Sequence, residues 1–393
     1  MKVVIVASLA FSLTNFRGTL IRQMIAAGHQ VIACAPNDDP EVRSELTAWG
    51  ADFHRIPMGR AGINPIEDAR TLLALVRLFR AVRPDIILAY TQKPIIYAGL
   101  AHRWLGRGRF FAMVTGLGYV FSGTGRRLWL RRIVTWLYRA ALARAATVIV
   151  YNRDDRDELR RARIVGDGHE VVLIPGSGVD TAHFGEQPIP SGGPTFLVVA
   201  RLLHDKGLRE YVAAAEIVRR DYPDARFELV GPFDPNPAAV SAAELAEWQS
   251  RGALVYRGAT RDVRPYLARC SVFVLPSHRE GLPRTILEAM ATGRAIITTD
   301  APGCRETVCV GENGFLVPVG DAPALANAMM GFCRDPQLAE RMGRMSRRIA
   351  RRRFAVEAIN RMLMATLGLR RESAAVQRAY SVEMLAGPAP VVP

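Results

Sequence analysis

Short runs of aliphatic and β-branched residues alternate with helical patterns along this chain, and the whole alternation occurs twice. Up to about residue 185 the reading is strand 3–7, helix 15–27, strand 31–35, helix 64–82, strand 85–90, helix 94–105, strand 109–114, helix 126–145 and strand 147–151. Strands spaced by helices predict a parallel sheet, because parallel neighbours need a crossover connection and a helix supplies it. The segment Gly185 to Pro194, with three prolines and three glycines, reads as a linker. The rhythm then restarts with Thr195-Phe196-Leu197-Val198-Val199, a helix from about Gly207 to Arg220, the strand Phe227-Glu228-Leu229-Val230 and the strand Val272 to Leu275. The fold class expected is α/β: two doubly wound, Rossmann-like domains facing a central cleft, one over 1–185 and one over 186–370. The last helical pattern, about 352–367, is placed to return to the first domain. Residues 371–393 lack periodicity, end in Gly-Pro-Ala-Pro-Val-Val-Pro and read as a disordered tail.

A chain of 393 residues with 49% hydrophobic content has the material for two cores. Its net charge of +15 implies an anionic partner, whether nucleic acid, a phosphorylated substrate or an anionic membrane surface. Five scattered cysteines form neither paired CxxC spacing nor a secreted disulfide framework, which fits a reducing cytoplasm. The seven histidines include no HxxxH or HExxH pattern, so no protein-bound metal is expected. Met1 to Ala7 has the charge and apolar run of a signal peptide, yet cleavage would remove the first strand of the βαβ rhythm, so it reads as a buried strand. No apolar run reaches the ~18 to 20 residues of a spanning helix, and the expectation is a soluble or peripheral protein.

The residues that carry chemistry lie in the second half. Glu280-Gly281-Leu282-Pro283-Arg284-Thr285-Ile286-Leu287-Glu288 follows an apolar strand and opens a helix, with Pro283 in the first turn and Gly293 as its stop. Amide groups at such a helix start bind anions. Glu280 is placed to accept hydrogen bonds from sugar hydroxyls, and Glu288, roughly two turns in, to accept both hydroxyls of a ribose. Two glutamates near a helix start are also favourable with no ligand at all. A second motif favours the ligand: after Val198-Val199-Ala200 come Arg201 and Lys206, with Gly207 opening the next helix. An Arg fork and a Lys point charge at the end of a parallel strand suit the two phosphates of a nucleoside diphosphate.

A third feature is an absence. Between Asp85 and Asp154 there is no carboxylate, while Lys93 and ten arginines fall inside the stretch. Arg126, Arg127, Trp129, Arg131, Arg132, Trp136, Tyr138 and Arg139 mix cations with aromatics as an interfacial helix does, and Arg103, Trp104, Arg107, Arg109, Phe110 and Phe111 extend the patch. An anionic leaflet offers about 1 kcal/mol per basic residue near its surface.

Arg201-x4-Lys206, Gly231, Gly258 and Glu280-x7-Glu288 resemble the donor half of a retaining glycosyltransferase of family 4, with the GT-B fold. Phe11 to Gly18, Tyr90 to Tyr97, Thr115 to Phe121 and Asp300 to Glu306 resemble a subgroup that builds bacterial glycans, capsules and O-antigens, including N-acetylhexosaminyltransferases acting on polyprenyl-diphosphate-linked acceptors. The resemblance implies that Arg201 and Lys206 stabilise the diphosphate leaving group, that Glu280 lies by the donor sugar, that Glu288 holds the ribose, and that Gly281, Leu282 and Thr285 help bind phosphate and sugar. It implies a UDP-sugar as co-substrate, no cofactor and no metal. Gly18 would let the first domain close on the donor phosphates. Many members carry a histidine after a strand of the first domain. Here that stretch reads Val114-Thr115-Gly116-Leu117-Gly118, so Thr115 takes the place, and His102, in a helical pattern, reads as a surface residue. Lys93, Arg103, Arg107, Arg109, Arg126, Arg127, Trp129, Arg131, Arg132 and Trp136 are then the acceptor or membrane residues of an enzyme peripheral to the inner face of the cytoplasmic membrane.

The competing readings are a basic nucleic-acid-binding protein and another sugar-nucleotide or GT-B enzyme, such as an epimerase or a phosphorylase. The first has no recognisable binding module and leaves the ordered Arg201, Lys206, Glu280 and Glu288 set unexplained. A dehydrogenase is disfavoured because the first strand is not followed by GxGxxG.

Overall fold

A computed structural model describes residues 1–59, 64–118, 128–236 and 238–370. Arg126, Arg127, the segment 119–121 and the expected tail over 371–393 lie outside the described residues. The described chain divides into two compact units, one built from Met1–Ser177 with Ile359–Arg370, the other from Gly178–Ala358.

The first unit has strands β1 Lys2–Val6, β2 Gln30–Ala35, β3 Asp52–Arg55, β4 Ile86–Tyr90, β5 Arg109–Val114, β6 Ala145–Val150 and β7 Val171–Leu173. Its helices are α1 Phe11–Asn15, α2 Gly18–Ala26, α3 Pro40–Ala48, α4 Pro65–Val82, α5 Gln92–Leu105, α6 Leu128–Leu142 and α7 Arg153–Arg161. The sheet order is β3-β2-β1-β4-β5-β6-β7 with every pair parallel. Order therefore reverses between β1 and β4, and the ends of those strands frame the crevice where open α/β sheets take ligands. Val4, Val6, Ile87, Ala89, Phe110 and Ala112 anchor a core that also takes Leu75 and Phe79 from α4.

The second unit has strands β8 Thr195–Val199, β9 Arg226–Val230, β10 Val255–Tyr256, β11 Val272–Leu275, β12 Ala295–Thr299 and β13 Gly314–Val317. Its helices are α8 Leu208–Asp221, α9 Ala242–Ser250, α10 Arg264–Arg269, α11 Arg284–Ala291, α12 Ala322–Arg334 and α13 Pro336–Arg353; α14, Val356–Thr366, crosses from this unit to the first. The order β10-β9-β8-β11-β12-β13, again all parallel, repeats the first unit's layout, with the reversal between β8 and β11.

Local chemistry explains several boundaries. Asn64 caps α4 by accepting from the Ile66 and Glu67 amides, Pro65 starts it, and Arg83 at φ 51° ends it. Asp39, Asn152, Ser241, Asp321 and Asp335 cap α3, α7, α9, α12 and α13 in the same way. Three expectations need correcting. The helix read over 15–27 is α2, which begins at Gly18, and a separate short helix, α1, precedes it, with a break at Phe16 and Arg17. The pattern read over 352–367 is broken at Phe354 and Ala355, where Val356 N donates to Val179 O and Val179 N to Phe354 O. Pro283 is the residue that caps α11, in an extended conformation, and the helix proper begins at Arg284.

Candidate active site

The loops after β8 and β11 flank the reversal point of the second sheet, and they bring the motif residues together. Lys206 Nζ donates to Glu280 Oε1 at 2.6 Å, and Ser277 Oγ donates to the same oxygen at 2.8 Å. The second carboxylate oxygen of Glu280 is left to accept from elsewhere. Both side chains are mostly enclosed, 13% exposed for Lys206 and 18% for Glu280. The reason is close packing of backbone. Gly207, at φ +70°, would carry a Cβ only 2.0 Å from Pro276 O, and Gly303, at φ +80°, one 2.4 Å from Glu280 O. Only glycine permits either approach. Glu280 N also donates to Pro302 O at 2.9 Å, so the loop after β12 fixes the glutamate's backbone.

Burial works to lower the Lys206 ammonium, but Glu280 and Asp205 outweigh it and hold its pKa above the usual lysine value, with nearby Arg201 opposing them. Lys206 thus stays charged at neutral pH. Arg201 Nη1 donates to Asp234 Oδ2 at 2.6 Å, and Asp234 Oδ1 accepts from the Asn236 amide, which fixes the carboxylate. Glu288 is buried in α11 and accepts from Arg284 Nε at 2.9 Å. Burial pushes its carboxyl above the usual carboxylate range, with Arg284 pulling the other way. Gly281 and Leu282 are buried in the turn before α11, and Thr285 is half-buried in its first turn. No side chain caps that helix; within its first turn Ile286 N donates to Pro283 O at 3.1 Å. Among the described residues no three His, Cys, Asp or Glu side chains gather as a metal site would require.

Ser277, Asp234 and Arg284 are site neighbours that motif reasoning passed over. Ser277 stood three residues before Glu280 with nothing in the sequence to aim it, and Asp234 lies on a different loop, after β9.

In the first unit, Gly18 opens α2, and a Cβ there would meet the Trp49 ring at 2.9 Å, which gives this glycine a packing role. Thr115 follows β5 and is half-buried. His102 is a correction: it is buried, stacked on Phe110 at 5.7 Å, with Nε2 at 3.1 Å from Gly108 O, and burial lowers its pKa. On α6, Trp129, Ile133 and Trp136 form one exposed face, the two tryptophans 63% and 64% exposed. Tyr138, grouped with them by sequence, is fully buried, and so are Phe110 and Phe111, which are β5 core residues. Trp104, Arg103, Arg107, Arg109 and Arg132 are exposed. Arg131 instead pairs with Glu158 at 2.6 Å, and Lys93 with Asp68 at 3.1 Å, both half-enclosed. Among the described residues no helix is long and apolar enough to cross a membrane.

Residues 15–177 match the profile of the glycosyl transferase 4-like domain, and residues 193–335 match that of glycosyl transferases group 1. The chain belongs to the group 1 glycosyltransferases. This glycosyltransferase is 27% identical over 342 residues to the N,N'-diacetylbacillosaminyl-diphospho-undecaprenol alpha-1,3-N-acetylgalactosaminyltransferase of Campylobacter jejuni, covering 83% of its own length and 88% of the relative's. Its fold resembles sucrose-phosphate synthase from Thermosynechococcus elongatus, with a TM-score of 0.76, 22% identity, and coverage of 94% and 98% of the two chains. Anabaena HepE in complex with UDP has a TM-score of 0.73 at 19% identity, with coverage of 94% and 100%. The architecture is GT-B, two parallel-sheet α/β domains.

Proposed function

We propose that this glycosyltransferase retains configuration at the anomeric carbon while moving an N-acetylhexosamine from a UDP-sugar to a polyprenyl-diphosphate-linked saccharide, for bacterial surface glycan synthesis at the inner face of the cytoplasmic membrane. The observation that carries it is the group formed by Arg201, Lys206, Ser277 and Glu280 at the reversal point of the second sheet. The Campylobacter relative's name, which specifies an N-acetylgalactosamine donor group and an undecaprenol-diphosphate acceptor, supports the sugar and acceptor classes.

In this reading the UDP diphosphate lies against Arg201, Lys206 and the opening amides of α11, and Glu288 accepts from the ribose. The bond from anomeric carbon to phosphate oxygen breaks as the acceptor hydroxyl bonds to the same face of that carbon. The acceptor's proton passes to the departing phosphate oxygen. Negative charge grows on the diphosphate along this path, so fixed cations and helix-end dipoles favour the transition state over the ground state. Two cations already supply that stabilisation, and the proposal includes turnover without a divalent metal or any cofactor. The exposed Trp129, Ile133 and Trp136 face, with Arg132 beside it, is the membrane contact.

A thermal-shift panel of nucleoside diphosphate sugars tests the donor, since a ligand raises the melting temperature with its affinity. UDP-N-acetylhexosamines should give the largest shift, and turnover in EDTA should equal that without it. Proton NMR of the product settles the stereochemistry. A β-linked product from an α-linked donor, or loss of turnover in EDTA restored by magnesium, would defeat the reading.

A further inference from the structure

Arg17, in the turn between α1 and α2, is 2% exposed and buries a charge that no carboxylate among the described residues neutralises. Its Nη2 donates to Met113 Sδ and to the Tyr151 hydroxyl, and its guanidinium lies 5.2 Å from the Tyr90 ring centre and 5.9 Å from that of Tyr151. Nε and Nη1 are buried with no hydrogen-bond partner, and no carboxylate pairs with it among the described residues. Tyr90 offers no counter-ion: burial raises its phenol to about 12, although Arg17 opposes the shift. An arginine side chain does not shed its proton. A buried unpaired cation is costly, and an apolar side chain of like volume is the more stable choice in such a place.

The position explains why a cation is kept there. Arg17 follows β1, Tyr90 ends β4, Met113 is in β5 and Tyr151 follows β6, so the guanidinium lies at the C-terminal edge of the first sheet, beside the β1/β4 reversal. Directly after Tyr90 comes Thr91, at φ +68°, a strained conformation for a β-branched residue. Thr91 Oγ1 is a further buried polar atom without a partner. The 14-residue helix α5 begins here with no side-chain cap, and its positive end adds to the Arg17 charge. Two orphaned guanidinium nitrogens stacked over Tyr90, an orphaned hydroxyl on the strained residue after it, and an uncapped helix start therefore share the C-terminal edge of one sheet.

We infer that the start of α5 is a binding site for a diphosphate group, with Thr91 Oγ1 and the opening amides of α5 as hydrogen-bond donors and Arg17 as the buried charge behind them. The diphosphate is that of the lipid-linked acceptor, an assignment that rests on the acceptor class proposed above. The donor diphosphate is assigned to Arg201 and Lys206, so the two sites separate by experiment.

The test is calorimetric titration of inorganic pyrophosphate into the full chain saturated with UDP, which occupies the donor site. Wild type and Arg17→Lys should bind; Arg17→Met should bind about tenfold more weakly or worse. Arg17→Met should melt no lower than wild type, since the buried charge costs stability in the free protein. Thr91→Val keeps the shape, loses the hydroxyl and should weaken binding by a smaller factor, which preserves the test if Arg17→Met does not fold. Pyrophosphate binding undiminished in Arg17→Met, or in Thr91→Val where Arg17→Met is unfolded, overturns the inference. So does a UDP-saturated wild type that takes no pyrophosphate. Orthophosphate that binds as tightly as pyrophosphate would overturn the diphosphate assignment. Failure of UDP to bind counts against the donor reading alone, and the Arg17 comparison then runs in a Lys206→Ala background.

Discussion

In the second unit three cations of the donor motifs are held by carboxylates: Arg201 by Asp234, Lys206 by Glu280, Arg284 by Glu288. In the first unit Lys93 and Arg131 are also paired, with Asp68 and Glu158, but Arg17 is buried with no carboxylate among the described residues, and Arg103, Arg107 and Arg132 stand exposed. The same sheet layout thus handles charge in two ways. Pairing holds the second unit's groups in place before any ligand arrives, which limits the reorganisation left for the transition state. An unmatched cation costs stability in the free protein and gains most when an anion reaches it.

Removing one partner of a pair on the donor side should have the largest effect. Lys206→Ala or Glu280→Gln should lower turnover by about 10² to 10³, as loss of one stabilising group in a preorganised site does. Each variant should still fold and melt cooperatively. Near-wild-type turnover in both would mean that the paired charges serve structure alone.

Next in size is the exposed face of the first unit. Reversing Arg131 is a poor probe, because it would also break the ion pair with Glu158. Trp129→Ala with Trp136→Ala and Arg132→Glu leaves that pair intact. This triple variant should lose roughly 2 kcal/mol or more of attraction to anionic vesicles, from one charge reversal and two lost apolar insertions. UDP affinity should be unchanged, because these residues and the donor motifs belong to different units. Co-sedimentation equal to wild type would remove the membrane role.

Glu288→Gln separates binding from chemistry within the second unit. It removes a charged acceptor and should weaken UDP binding by about tenfold, with a smaller effect on the rate at saturating donor. A fall in saturated rate with unchanged UDP affinity would move Glu288 from the nucleotide to the reacting centre.

The smallest effect concerns His278, which hydrogen-bonds Glu210 at 3.0 Å next to the Glu280 loop. That hydrogen bond raises the histidine's pKa and lowers the glutamate's. The histidine's contribution is full below its ordinary value of 6.5 and fades as pH rises through the raised one. The glutamate's contribution is present above its ordinary 4.5 and is lost as pH falls through the lowered value. The pair therefore stabilises most between these two values. His278 is 41% exposed, so the contribution is a fraction of a kcal/mol. His278→Gln should melt slightly below wild type at pH 5.5 and match it at pH 8.5. A gap that widens with pH would reverse the assignment.

The outcome on α6 shows how far sequence periodicity carries. Trp129 and Trp136 are seven residues apart and share a face at 3.6 residues per turn, whereas Tyr138 lies roughly 200° from Trp136 and turns into the core. Helical spacing alone separates these faces, and the strict count predicts the split. It does not say which face meets protein, because that depends on α5, packed against α6 from elsewhere in the chain. The short strands β3, β7 and β10 escaped the reading for a related reason. None of the three has a fully buried residue, so none carries the unbroken apolar run that marks the central strands.

Local sequence is enough for the repeated βαβ order, the capped helix starts and the motifs that place Arg201, Lys206, Glu280 and Glu288 after particular strands, since each depends on neighbours a few residues away. Tertiary structure decided which charges are paired. Lys206 meets Glu280 across 74 residues, and Arg17 meets Tyr151 across 134. It also decided that His102 is buried and that Arg17 lies unpaired at the sheet edge. Burial and pairing come from segments distant in sequence that the parallel sheet brings side by side. No local pattern records them, because the cost of an unpaired charge is set by whatever the rest of the fold places around it.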